Sequence, residues 1–348
     1  MKLPEQPYEI VDTILQHAVE HKASDIYWLP GAEHYQIKLR IAGRQSLLTT
    51  VPLASGLQCI TRIKVLAGLL TYRSQIDQDG VIHDYQPVNG SEFRVAVMPT
   101  IHGERITLRI QTKSRQPQYL EELNFAAPVT AQLKTMLRRP NGMIILTGPT
   151  GCGKTTTIYA MIRELLRNDQ DPASIISIED PVECRINGIS QVSLGRSSDE
   201  WNYTQALRAA LRQDVKTLII GEMRDPEIVK VALEAAMTGH RVITTFHAGD
   251  IPAVYTRILH QGFEPFLIAA AITGIVSQRL LPALEPDTLI PVVAVMEPDD
   301  HWQELILSNA GLGELRQAVK NYSLADLSTA AEQLVEQKII DSKQVYAL

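Results

Sequence analysis

Asn141 to Tyr159, NGMIILTGPTGCGKTTTIY, holds the densest chemistry of the chain. Gly148-Pro149-Thr150-Gly151-Cys152-Gly153-Lys154-Thr155 fits G-x-x-x-x-G-K-[ST] at every fixed position, and Thr156 follows. A triphosphate needs many donors close together, and backbone N–H groups supply them where no side chain intervenes. Gly148, Gly151 and Gly153 let the backbone curl round a β-phosphate. Lys154 reaches the β- and γ-phosphates, and the Thr155 hydroxyl holds Mg²⁺. Cys152, although near a helix N-terminus, reads as a small residue in the loop. The other reading of the motif is a chance glycine turn. Its context opposes that: Met143 to Leu146 is a short apolar run of strand type, and Thr156 to Leu166 reads as an amphipathic helix.

The elements that must position this loop follow it in the chain. Ser174 to Ile178 is an apolar strand ending in Glu179-Asp180-Pro181-Val182-Glu183. Leu218 to Ile220 is a third strand, ending Gly221-Glu222-Met223-Arg224-Asp225, and Arg241 to Thr245 a fourth, ending Phe246-His247. Gln205 to Arg212 and Pro226 to Met237 are helical between them. Strands alternating with helices imply an α/β fold with a mostly parallel sheet, whose ligands sit at the carboxyl ends of the strands. The glycine loop, Glu179, Glu222 and His247 all fall at that edge. Each has a plainer reading: Glu179 and Asp180 as a cap or turn, Glu222 as a partner of Arg224, His247 as a core histidine. Convergence on one edge favours a shared site.

The upstream half is a small α/β domain. Tyr8 to His21 is a helix, Ile26 to Leu29 a strand, and Tyr35, Ile37, Leu39 and Ile41 alternate with polar residues. Gly43-Arg44 is a plausible hairpin turn into Ser46 to Val51, and Leu53 to Leu70 returns to helix. Phe93, Val95 and Val97 alternate in one later strand, and Ile106, Leu108 and Ile110 in the next. Folding about Ile101–His102 sets Arg94 opposite Arg109 on the polar face, with Arg105 on that face too. Like charges so placed destabilise a sheet unless an anion lies between them. From the pattern alone, a solvated basic face is the plainer account. Lys113 to Leu123 loses periodicity and contains Pro117. The expected division is therefore a first domain over 1–113, a linker over 114–122 and a second domain over 123–348. Ala131 to Leu137 is a helix leading into the phosphate-binding strand.

The 348 residues are 45% hydrophobic and 21% charged, enough for a substantial core. Lys and Arg number 33 against 39 Asp and Glu, a net charge of −6, which weighs against direct binding of nucleic acid. Cys59, Cys152 and Cys184 are far apart and odd in number. They indicate neither a cysteine zinc site nor a disulfide framework, and fit a reducing cytoplasm. MKLPEQPYEI lacks an apolar signal core, and the longest membrane-like stretch, Pro265 to Val276, is too short to span a bilayer.

Several segments resemble the secretion ATPases of type II secretion and type IV pili: Ser177 to Glu183 (SIEDPVE), Leu207 to Asp214 (LRAALRQD), Ile220 to Asp225 (IGEMRD), Thr238-Gly239-His240 and Ser277-Gln278-Arg279-Leu280. Ala23-Ser24-Asp25-Ile26 and Pro99 to Ile110 (PTIHGERITLRI) resemble that family's N-terminal domain. The resemblance runs from about Glu9 to about Leu281. It implies a RecA-like P-loop ATPase domain with a helical C-terminal part, a PAS-like N-terminal domain, a hexameric ring, and ATP with Mg²⁺ as cofactors. By the same resemblance Glu179 lies in an aspartate box and touches Mg²⁺ through water. Glu222 stands where the family has its Walker B aspartate, and His247 is the histidine-box residue. Arg94 and Arg109 match arginines brought to bound ATP, with Arg105 as a helper.

The chain departs from the family pattern at Phe246, at Ala248-Gly249 and at Asp214-Val215-Lys216. The tetracysteine zinc module of many assembly ATPases is absent after Leu281. In that respect it is most similar to the competence pilus ATPases of Gram-positive bacteria (the ComGA type), with the short, zinc-free retraction ATPases as rivals. The implied partners are further copies of the chain and an inner-membrane platform protein. The implied location is the cytoplasmic face of the membrane. A module that binds nucleotide without turnover and a nucleic-acid translocase are the competing classes.

Overall fold

The computed structural model describes residues 4–41, 44–83, 85–88, 91–112, 119–168, 171–194, 202–285 and 288–347. Two compact units are present, one built on Met1–Gln116 and the other on Pro117–Leu194 and Glu200–Leu348. Of the expected linker, residues 114–118 lie outside the described residues. The rest begins a 3-10 turn, Leu120–Leu123, pinned by the buried Leu120 and Leu123.

In the first unit, α1 (Pro7–Glu20) follows the helical spacing of Ile10, Val11, Ile14, Leu15 and Ala18, all buried. The strands are β1 (Asp25–Pro30), β2 (His34–Ile41), β3 (Arg44–Pro52), β4 (Gln78–Ile82), β5 (Ser91–Thr100) and β6 (Gly103–Thr112). They form one antiparallel sheet in the order β3-β2-β1-β6-β5-β4. The second helix, α2 (Leu53–Leu66), is shorter than its sequence pattern predicts. It stops because Gly68, at φ 71°, turns the chain left-handed just beyond the C-cap Ala67. β4 was not expected from the sequence, and Gly43 of the expected hairpin turn lies outside the described residues. The hairpin register is as expected: Arg94 pairs with Arg109.

The second unit contains α3 (Ala127–Arg138), β7 (Gly142–Thr147), α4 (Lys154–Arg167), β8 (Ile175–Glu179), β9 (Ser190–Ser193), α5 (Tyr203–Ala210), β10 (Thr217–Ile220), α6 (Pro226–Met237) and β11 (Arg241–Phe246). There follow α7 (Ile251–His260), α8 (Pro265–Ala271), β12 (Ile272–Pro282), β13 (Leu289–Met296), α9 (Asp300–Leu307), α10 (Leu312–Ala318) and α11 (Leu327–Glu336). The sheet order is β13-β12-β7-β11-β10-β8-β9, parallel except where β13 runs against β12.

β7 and β11 are buried at every position, as strands covered by helices on both faces must be. One face packs Ile144, Leu146 and Val276 against α3 and α4. The other packs Met143, Ile145 and Ile275 against α6, α7 and α8. The apolar stretch from Pro265 divides into α8 and the start of β12. The C-terminal part, expected to be helical, also contributes the edge strand β13. Among the described residues, no helix is long and apolar enough to cross a membrane.

Candidate functional site

The glycine loop connects the buried end of β7 to α4. Gly148, Gly151 and Gly153 have φ of 145°, 80° and 91°, a region that side chains resist. Space is equally restrictive: a Cβ on Gly148 would lie 2.3 Å from the Gln278 carbonyl oxygen, and one on Gly153 would lie 2.8 Å from Gln278 Nε2. The N-terminus of α4 has no side-chain cap, so its first amides are available to an anion. Lys154 Nζ donates to the carbonyls of Gly148 (2.7 Å) and Pro149 (2.9 Å) and stands 3.9 Å from Cys152 Sγ. The ammonium is folded over the loop it would share with a phosphate. Pro149, Thr150 and Gly151 are exposed at the rim, and Thr155 and Thr156 are half-buried. This uncapped, glycine-lined cradle with its lysine fits a nucleotide phosphate, and the Thr155 hydroxyl fits Mg²⁺.

The loop has a brace that sequence reasoning missed. β12 pairs with β7, Ser277 opposite Thr147, which brings Gln278 alongside Gly148. Buried Gln278 donates from Nε2 to the Cys152 carbonyl (2.6 Å) and accepts from Thr157 Oγ1 at Oε1 (2.9 Å). Arg279 donates to the Gln278 carbonyl (3.0 Å) and to the Gly249 carbonyl (2.5 Å). The segment Ser277–Leu280 is visible in the sequence as a family-like motif, but its role depends on a strand pairing more than 100 residues away in sequence.

Across the strand ends stands the second half of the site. Glu222 Oε1 lies 2.7 Å from His247 Nε2, and Glu222 Oε2 accepts from Arg224 Nε at 2.9 Å. Arg224 Nη1 also reaches Asp180 Oδ2 (3.2 Å). The hydrogen bond to Glu222 raises the Arg224 pKa, opposing the effect of its partial burial. The expected plain pairing of Glu222 with Arg224 therefore exists, yet the same carboxylate also holds His247. His247 is no core residue: its side chain is 49% exposed. Its carbonyl accepts from Arg257. The neighbouring Ala248 is tied to β7, donating its N–H to Thr147 Oγ1 (3.0 Å) and accepting from that hydroxyl (2.8 Å). The histidine loop and the phosphate loop are thus joined through one threonine.

Glu179 is the last residue of β8 and is buried. It accepts from Tyr159 Oη (2.5 Å) on Oε2, and from Ser177 Oγ (2.5 Å) and Gln191 Nε2 (3.3 Å) on Oε1. Tyr159 Oη in turn accepts the N–H groups of Glu183 (3.1 Å) and Cys184 (3.2 Å). Burial, then the adjacent Glu179 charge, pushes the Tyr159 phenol up from its usual range, so it stays a donor. Glu179 is neither a helix cap nor a surface turn. A carboxylate offers about four acceptor sites, so with three protein bonds one remains for a metal-bound water. Asp180, its more exposed neighbour, faces Arg224 instead.

In the first unit, Asp25 on β1 is an anion beside Arg109, on the side of β6 away from Arg94. Arg109 Nε donates to Asp25 Oδ1 (3.2 Å), and Arg40 Nε approaches Oδ2 (3.3 Å). Arg109 remains 71% exposed, while Arg94 and Arg105 are half-buried. Just before Arg105, Glu104 is drawn inward by the buried Lys64, whose Nζ lies 2.7 Å from Glu104 Oε1.

A family model described as "Type II/IV secretion system protein" matches residues 5–347. The chain belongs to that family. Among relatives, the type II secretion system protein HxcR of Pseudomonas aeruginosa is 37% identical over 272 residues, covering 78% of this chain and 57% of HxcR. The type IV pilus assembly ATPase PilB of Myxococcus xanthus is 36% identical over 306 residues, covering 87% of this chain and 52% of PilB. The chain thus spans about half the length of the curated relatives it matches. Among solved structures, a pilus retraction motor, PilT, with bound ADP superposes with a TM-score of 0.80 at 27% identity, covering 97% of this chain and 95% of that one. The ATPase DotB of Legionella pneumophila, at TM-score 0.76 and 22% identity, shares the fold. The second unit is accordingly a RecA-like domain, preceded by a smaller α/β domain.

Proposed function

We propose that this chain hydrolyses ATP with Mg²⁺ and converts the turnover into motion that builds a type IV pilus-like or type II secretion fibre. The observation that carries the proposal is the meeting, at one sheet edge, of an uncapped phosphate loop with a carboxylate–imidazole pair, Glu222 and His247, 2.7 Å apart. Lys154 leaves the loop carbonyls for the β- and γ-phosphates. Thr155, with Glu179 through a water, would hold Mg²⁺, which would supply positive charge to offset that of the transferring phosphoryl group. Glu222 orients the attacking water and takes its proton. His247, released from Glu222, senses the γ-position and reports to a neighbouring protomer. Arg94 and Arg109, helped by Arg105, would supply guanidinium charge to the phosphates of a nucleotide bound in the oligomer.

The working form in this proposal is a homo-oligomer, a hexamer, acting on a membrane platform protein at the cytoplasmic face. Assembly is favoured over retraction by the PilB and HxcR similarity at 36–37% identity. A competence pseudopilus that supports DNA uptake is the finer version of this reading. The retraction reading rests on the PilT superposition. Direct action on nucleic acid fits poorly with a net charge of −6.

Glu222→Gln tests the core of the proposal. Nucleotide affinity should persist while steady-state ATPase falls by about 100-fold or more, the worth of a positioned general base. Unchanged turnover in that variant would refute the role given to Glu222. Binding without turnover in the unaltered chain would instead favour a nucleotide-gated module.

A further inference from the structure

We propose that His17, Glu20 and His21, at the C-terminal end of α1, form a binding site for a divalent transition-metal ion, zinc foremost, with at least one coordination position open to solvent.

The three residues sit at i, i+3 and i+4, the spacing that stacks side chains on one face of a helix. Their ligand atoms all lie within 4.8 Å of one another, and no other group of three or more His, Cys, Asp or Glu among the described residues meets that condition. A tetrahedral zinc site with bonds of about 2.0–2.1 Å needs ligand atoms about 3.4 Å apart, within reach of small side-chain rotations from here. The two imidazole rings already lie side by side, with centroids 3.9 Å apart and planes inclined by 33°.

One ring is oriented by a bond of the kind metal-bound histidines use. His21 Nδ1 donates to the His17 carbonyl at 2.8 Å. That bond fixes the proton on Nδ1 and leaves the lone pair of Nε2 free for a metal. The helix adds to the field, since α1 ends at Glu20 with His21 as its C-cap, where the macrodipole favours a cation. Two imidazoles and one carboxylate are a borderline donor set. They suit zinc, nickel or copper, whereas magnesium and calcium require oxygen-rich sites. The site is therefore chemically separate from the Mg²⁺ position at Thr155. Glu20 and His21 are exposed and His17 half-buried, so an ion can enter from solvent and keep water as a further ligand.

The test uses the full chain without a histidine tag, freed of metal and nucleotide, titrated with Zn²⁺ by calorimetry and with Co²⁺ by visible absorption. The expected result is one saturable zinc ion per chain and a cobalt spectrum of nitrogen–oxygen type without thiolate charge transfer. His17→Gln and His21→Gln should each weaken zinc binding by at least the roughly 10-fold that even an outer-shell partner contributes. Glu20→Gln should weaken it less, excess Mg²⁺ should not compete, and ATPase activity should be unchanged in all three variants. Absence of saturable zinc binding would overturn the proposal, showing a stacked histidine pair and nothing more. So would zinc affinity retained in the His17→Gln/His21→Gln double variant, or a thiolate signature with cobalt, either of which would locate the ion elsewhere.

Discussion

Truncating Gln278 to alanine isolates the brace beneath the phosphate loop. The Thr157 hydroxyl has one proton and two acceptors within reach, Gln278 Oε1 at 2.9 Å and the Gly153 carbonyl at 3.2 Å. Without Gln278 it turns to Gly153 and remains satisfied. Among the described residues the Cys152 carbonyl has no such substitute once the 2.6 Å bond from Gln278 Nε2 is lost. Stranding one buried polar group costs roughly 1–3 kcal/mol. If about 2 kcal/mol falls on the loop conformation that receives phosphate, affinity drops roughly 30-fold, since each 1.4 kcal/mol is about tenfold. The assay is calorimetric titration with MgADP, which avoids turnover. Gln278→Leu, of similar volume, separates the missing bond from missing packing and should weaken binding comparably. An MgADP dissociation constant within about threefold of the unaltered chain in both variants would refute this account of how the loop is held.

Tyr159→Phe removes the donor to Glu179 and leaves the Glu183 and Cys184 amides unpaired; a loss of about 2 kcal/mol in kcat, roughly 30-fold, is expected, and unchanged kcat and KM would show that the Glu179 network does not serve turnover. In the first unit, burial pushes the Tyr35 phenol from 10.0 up to about 12. The folded state therefore keeps this proton after the unfolded state has lost it, so the contribution is full below pH 10 and disappears as pH rises towards about 12. Stability measured across that range should fall, and Tyr35→Phe should flatten the fall; an identical slope in both proteins would contradict the assignment.

The sequence by itself determined the local and periodic features. The phosphate loop was legible because its glycines, lysine and threonine are contiguous and flanked by an apolar run and an amphipathic pattern. The four central strands were legible because burial on both faces demands unbroken apolar runs. The Arg94–Arg109 pairing followed from period-two alternation about a short turn, and the structure has that register. Element ends were less legible: α2 stops at Leu66, short of its apolar pattern, because of the backbone conformation at Gly68.

Tertiary structure decided which distant residues meet. Gln278 braces Cys152 and Thr157 only because β12 lies beside β7. Glu222 grips His247 only because β10 and β11 are neighbours. Asp25 answers Arg109 only because β1 is inserted next to β6. Glu179, read from the sequence as a strand-end acid facing the ligand, has most of its acceptor capacity taken by Tyr159, Ser177 and Gln191. The physical reason is common to all four. Hydrophobic patterning is written along the chain at short range, whereas a buried polar side chain finds its partner through strand order, which no local spacing encodes.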